Sequence, residues 1–148
     1  MSRFETEFIK PMNFEIQKKV KDVSVTLVAD TAEEVYRNVL NLWPVDTAWS
    51  QANHRMNVGR NPARDFPLEP PTRPKGKGAL LGEASSNENE QLAKLDTLAF
   101  GDSVLIGNAV PYAADVGGSP SRPNTGNGIR IYAEAAAIGS AIIASRIG

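Results

Sequence analysis

The chain holds one histidine, His54, with Ser50 and Asp46 at successive four-residue steps before it. An acid, an alcohol and an imidazole are the groups of a hydrolase in which the imidazole takes the alcohol's proton. Ser50 has no glycine-flanked nucleophile elbow, and proximity in the chain does not give triad geometry. His54 also falls in a segment that reads as a strand, so the expectation is a surface or half-buried strand residue. A small hydrolase built on Asp46, Ser50 and His54 is the minor alternative, and no enzyme activity is expected. Metal chemistry has little to work with: there is no cysteine and one histidine, and Glu33, Glu34, Glu88 and Glu90 read as solvated helix faces. The run Gly76-Lys77-Gly78-Ala79-Leu80-Leu81-Gly82 touches the composition of a phosphate loop. Its lysine lies between glycines, however, and prolines stand where the loop needs a strand. Neither a metal nor a cofactor is expected.

The elements that would carry these groups follow from periodicity. Ile16, Val20, Val23, Leu27, Thr31, Val35, Val39 and Leu42 recur at steps of three or four, which is one face of a helix. Asn13 is a fair N-cap, and Pro44 stops the helix. Val23–Val28 alternates β-branched residues and competes as a strand, and Asp30-Thr31 is a weak point. The apolar stripe runs through both, so helix is the reading. Asn53–Val58 reads as a strand ending at Gly59. Ser85–Leu98 reads as a helix, with Ser86 or Asn87 as cap and Leu92, Leu95 and Leu98 inward. Asp102–Gly107 is a short apolar strand. Gly117–Gly128 is rich in turn residues. Ile131, Ala135, Ile138, Ile142 and Ser145 mark a last helix. The sum is an α+β domain over 1–148: a long N-terminal helix, a small antiparallel sheet, a short helix and a C-terminal helix.

Between the first strand and the short helix the character changes. Pro62, Pro67, Pro70, Pro71 and Pro74 are half of the 10 prolines, and Arg60, Arg64, Arg73, Lys75 and Lys77 outnumber Asp65 and Glu69. Proline removes the backbone donor that ladders and helical turns need, so 60–78 is expected to be an extended, basic, mobile arm. One aromatic, Phe66, offers little for base stacking. The five cations are therefore read as contacts to an acidic protein surface.

Composition narrows the classes further. The chain has 148 residues and a net charge of -1, from 16 Lys+Arg and 17 Asp+Glu. That balance does not suggest a dedicated nucleic-acid binder. A chain of this length can bury a core without disulfides. No apolar run reaches membrane-spanning length, and Met1-Ser2-Arg3-Phe4-Glu5 lacks a signal peptide's apolar core. A soluble, cytoplasmic protein with no membrane contact is expected, unless a larger assembly carries it out.

Two segments together resemble a known family. The first is Leu42-Trp43-Pro44-Val45-Asp46-Thr47, directly after the long helix. The second is Val104-Leu105-Ile106-Gly107-Asn108-Ala109-Val110-Pro111-Tyr112-Ala113, before a glycine-rich stretch and a last helix. Both look like the neck and tail-completion proteins of tailed bacteriophages, including the lambda Z-like minor tail proteins. In that family a helix ends in Pro-Val-Asp-Thr and a strand ends in Asn-x-Val-Pro-Tyr-Ala. There are departures: Ala48-Trp49-Ser50 stands where the family has glycine and then basic or small residues, Asp115-Val116-Gly117 stands for Glu-x-Gly, and 60–78 looks like an insertion private to this chain.

The motif residues suit turns. Asp46 can form an Asx turn, Asn108 tolerates the left-handed region, Pro111 stiffens the next turn, and Tyr112 can bury its ring. The resemblance implies a structural virion component at the head–tail junction, made in the host cytoplasm, which completes the tail and joins it to the connector as a ring of identical chains. The implied partners are other copies and the neighbouring neck, connector and tail proteins, with passive contact to DNA in the channel. A stopper or tail terminator is the alternative position.

Overall fold

The computed structural model describes residues 10–43, 48–110 and 127–147. Five regular elements follow in order: α1 (Lys10–Leu42), β1 (His54–Gly59), α2 (Leu81–Ala93), β2 (Ser103–Asn108) and α3 (Asn127–Ile147). Short 3-10 turns at Gln51–Asn53 and Lys94–Thr97 lead into β1 and out of α2. The mixed α+β architecture expected from the sequence is present, and each strand lies one residue from its expected place. The sheet has two antiparallel strands, pairing His54 with Asn108, Met56 with Ile106 and Gly59 with Ser103.

α1 is continuous through Val23–Val28, where a strand competed. Its hydroxyl residues support this locally. Ser24 Oγ donates to the Val20 carbonyl (2.8 Å), Thr26 Oγ1 to Asp22 (3.1 Å) and Thr31 Oγ1 to Leu27 (2.7 Å). These side chains bond back to the previous turn and so remain compatible with the helix.

The expected buried stripe on α1 is only partly correct. Val20, Val23 and Leu27 are 57%, 62% and 38% exposed, and Leu42 is also exposed. The buried residues are Ala32, Tyr36, Val39, Leu40 and Trp43. The reason is coverage. α3 runs antiparallel along α1, with Ile131 and Ala135 packed on Val39 and Trp43, and Gly139 against Val35. The last turn of α3 reaches back to α1 through Arg146 and Glu34 (2.9 Å). The sheet and the end of α2 lie on the same half, where Tyr36, Leu40, Met56 and Leu95 form the main core. Val20, Val23 and Leu27 therefore lie beyond that cover.

Three helix expectations are corrected. α1 begins at Lys10, so Asn13 lies inside the helix and is not its cap. α2 begins at Leu81, so Ser86 and Asn87 are interior residues and not caps. A turn over Gly78–Leu81 starts it: Leu81 N–H donates to the Gly78 carbonyl (3.2 Å). Gly78 has φ +69, a conformation that favours glycine. Leu95 and Leu98 are buried as expected, but beyond the α-helix, which tightens at Lys94. In α3, Ile131 and Ala135 are buried, whereas Ile138 and Ile142 are half-buried, Ser145 is exposed and Ile143 takes the inward place. The stripe follows steps of four because α3 presses Gly139 onto the α1 backbone.

The arm 60–78 is extended, without helix or strand, but its middle, 63–70, is tied down. Asn57 Nδ2 donates to the Ala63 (2.6 Å) and Asp65 (3.0 Å) carbonyls. Asn53 exchanges bonds with Glu69, giving Nδ2 to its carbonyl (3.0 Å) and taking its N–H at Oδ1 (2.9 Å). Trp49 Nε1 donates to the Pro70 carbonyl (2.8 Å). The Phe66 ring occupies the space where a Cβ at Gly107 would stand. The arm thus covers the sheet face opposite α1, and Gly107 is needed for that close approach. Phe66→Ala should loosen the arm. Trypsin cleavage after Arg60, Arg64, Lys75 and Lys77 should quicken roughly ten-fold, the equivalent of about 1.4 kcal/mol of lost anchoring, with helicity by circular dichroism unchanged. Equal cleavage rates would show that Phe66 does not anchor it.

Candidate functional site

One group of buried polar residues gathers at the start of β1 and the end of β2. His54 and Asn53 are fully buried, and Ser50 nearly so. Asn108 Oδ1 accepts the Val110 N–H (2.9 Å), an Asx turn that orients the amide. Its Nδ2 then donates to the Ser50 carbonyl (2.8 Å) and faces His54 Nδ1 (3.2 Å). With the amide so held, Nδ1 is an acceptor and the ring proton sits on Nε2. The Tyr132 hydroxyl also lies 2.9 Å from Nδ1, which ties α3 to the sheet. Trp43 stands edge-on to the imidazole, centroids 4.4 Å apart. His54 Nε2 and Trp43 Nε1 are buried and, among the described residues, make no hydrogen bond.

This hub is not arranged for acid–base chemistry. Burial pushes His54 down to about 3 and raises Tyr132 and Tyr36 above the usual phenol range. The imidazole is therefore neutral at physiological pH. Ser50 enters through its carbonyl, and among the described residues its hydroxyl makes no hydrogen bond to His54. Asp46, the third member of the hydrolase set, lies outside the described residues, as do Pro44, Val45, Thr47, Pro111, Tyr112 and Ala113. Among the described residues no cluster of three or more His, Cys, Asp or Glu could hold a metal ion.

The sign of the pH effect follows from the lowered pKa. The unfolded chain takes up a proton near 6.5 that the folded chain refuses until about 3, so stability is full above 6.5 and falls as pH drops towards 3. The slope from this one group approaches about 1.4 kcal/mol per pH unit inside that window. The expected signature is an imidazole carbon-bound proton resonance that does not titrate between neutral pH and about pH 5. The chain has a single histidine, so the resonance assigns itself. A midpoint near 6.5 in the folded protein would refute the buried placement.

A second polar cluster lies on the other side of β1 and was not legible in the sequence. Gln91, fully buried on α2, accepts the Met56 N–H at Oε1 (2.8 Å) and gives Nε2 to Asn87 Oδ1 (3.0 Å). Asn87 Nδ2 donates to the His54 carbonyl (2.8 Å), which also accepts the Tyr36 hydroxyl (2.8 Å). Lys94 Nζ donates to the Met56 carbonyl (2.9 Å) and Gln91 Oε1 (2.7 Å), and burial lowers its pKa. The only sequence signal was an Asn and a Gln four apart, pointing the same way from one helix.

The surface between α2 and the arm forms a groove of about 1040 Å³. Arg55 and Lys94 lie in it with Glu69, Glu83 and Glu90, so its charge is mixed. The five arm cations, Arg60, Arg64, Arg73, Lys75 and Lys77, are all exposed. Among the described residues no helix is long and apolar enough to cross a membrane. Compared with known protein families, with curated proteins and with solved structures, the chain gives no match.

Proposed function

We propose that this chain is a structural subunit of a tailed bacteriophage's head–tail junction, which completes the tail and joins it to the connector as part of an oligomeric ring. The carrying observation is the meeting of the two motif segments at His54. Trp43, which ends the helix, and Asn108, which ends the strand, both lie against that buried, neutral imidazole. Their packing at the helix exit and the strand exit supports a structural role for the two segments. The exposed apolar face of α1 and the exposed arm cations are surfaces that an assembly subunit would use. The chain's role is mechanical, it acts without a cofactor, and its partners are further copies and neighbouring neck proteins.

The test is position in the particle. Virions assembled with a tagged copy of the chain should bind gold-labelled antibody at the junction of head and tail. Label on the capsid faces or at the tail tip, or tagged protein left out of finished particles, would overturn the proposal.

A further inference from the structure

The two edges of the sheet are treated differently. The outer edge of β1 is closed by side chains: the His54 carbonyl by Tyr36 and Asn87, the Met56 N–H by Gln91 and the Met56 carbonyl by Lys94. In an antiparallel pair, residues that face outward on one strand oppose residues that face outward on the other. Met56 opposes Ile106, and Val58 opposes Val104. The N–H and C=O groups of Val104 and Ile106 therefore point away from β1, and no described residue bonds to them. Beside this open edge is an apolar hollow of about 390 Å³, lined by Leu27, Val28, Thr31 and Val35 of α1 with Val104 and Ile106. Among the described residues, the layer of sheet on helix leaves a position open for one more strand.

We propose that β2 of a second copy of this chain fills that position, joining two two-stranded sheets into one of four strands across a two-fold axis. Centred on Ile106, the pairing exchanges N–H and C=O bonds between the two Ile106 residues and sets Val104 of one chain opposite Asn108 of the other. Val104 and Ile106 share a face of the strand, so each copy presents β-branched side chains to the hollow of its partner. Ser103–Asn108 holds no charge and no proline, so two copies meet without opposed like charges and without the residues that usually protect an edge. Because β1's outer edge is occupied, the sheets cannot join head to tail. The contact is isologous and closes at two chains. One strand and one hollow make a small interface, below about 1,200 Å² in all, so association in the micromolar range is expected. This contact is independent of the ring proposed above.

The test is the mass of the full chain by sedimentation velocity across the micromolar range, with amide exchange read at Ile106. The wild type should pass from monomer to dimer, and Ile106 exchange should slow as it does so. Val28→Lys places a charge in the hollow from a position already 39% exposed, so folding is preserved. Val104→Pro removes an outward donor without touching the β1 ladder. Each should weaken dimerisation at least ten-fold with helicity unchanged. Should Val104→Pro fail to fold, Val28→Lys decides alone. A wild type that stays monomeric throughout, a dimer or ring whose affinity neither folded variant changes, or unchanged Ile106 exchange on association would overturn the inference.

Discussion

Gly139→Ala is expected to cost about 3 kcal/mol or more, the upper end for overpacking a tight contact. A Cβ at Gly139 would stand 2.7 Å from Val35 Cγ2, 2.9 Å from Val35 N and 3.1 Å from its Cα. A side-chain methyl can turn aside, but a helix backbone cannot. The substitution must therefore lift α3 from α1 along the seam where Ile131 and Ala135 pack on Val39 and Trp43. Helix propensity works the other way, since alanine replaces glycine inside a helix and gains about 1 kcal/mol. The prediction is thus a contest between a local gain and a tertiary clash. Urea unfolding followed by circular dichroism decides it: a lower midpoint shows that the clash wins, and a higher one would mean that the two helices are not this close. Val35→Ala in the same chain should recover only part of the loss, because two of the three contacts are to backbone.

Gln91→Leu should have a comparable effect for the opposite reason, since it preserves volume and removes bonds. The Met56 N–H loses its acceptor, and Asn87 and Lys94 each lose a partner. A buried donor left unsatisfied costs about 1–3 kcal/mol, and Gln91 serves more than one group, so a total loss near 3 kcal/mol is expected. The effect has a location. Amide exchange at Met56 should rise well beyond what global destabilisation explains, while Leu105, on the strand's inner ladder, should follow global unfolding alone. Gln91→Glu should keep the acceptor and an ion pair with Lys94, but lose the donor to Asn87. It should be milder than Leu near neutral pH. A Leu variant as stable as the wild type would show that the β1 edge does not depend on this side chain.

The exposed ion pairs carry little by comparison. Arg37 meets Glu33 (3.0 Å) and Glu88 (3.3 Å), and Arg146 meets Glu34 (2.9 Å), linking α1 to α2 and α3. At such exposed positions each is worth at most about 1 kcal/mol. The fold rests instead on the apolar seam and on buried amides.

Much of the fold was legible in the sequence because helix and strand are local periodicities. Steps of three and four carried α1 through a β-branched stretch, where the hydroxyls of Ser24, Thr26 and Thr31 close back onto the helix. The strand readings over 53–58 and 102–107 fell within a residue of β1 and β2. The candidate site was legible only in its ingredients. His54, Ser50, Asn108 and Trp43 stood out by type, but nothing in the chain's order says that Tyr132 reaches His54 or that Asn108 holds Ser50 by its carbonyl. Asn87 read only as a possible helix cap, and nothing in the sequence singled out Gln91, yet both hold the edge of β1.

The sequence by itself determined the elements, their order, and the absence of any cysteine chemistry. Tertiary structure alone decided which apolar residues are buried, since Val23 and Val39 share a stripe yet one is exposed and the other fully buried. It also turned an arm rich in proline and positive charge into a clamp over the sheet, through Asn53, Asn57, Trp49 and Phe66. The physical reason is the same in each case. Backbone conformation answers to neighbours a few residues away, whereas burial and polar satisfaction answer to whatever arrives from far along the chain, and a periodic pattern shows which face is apolar without showing what covers it.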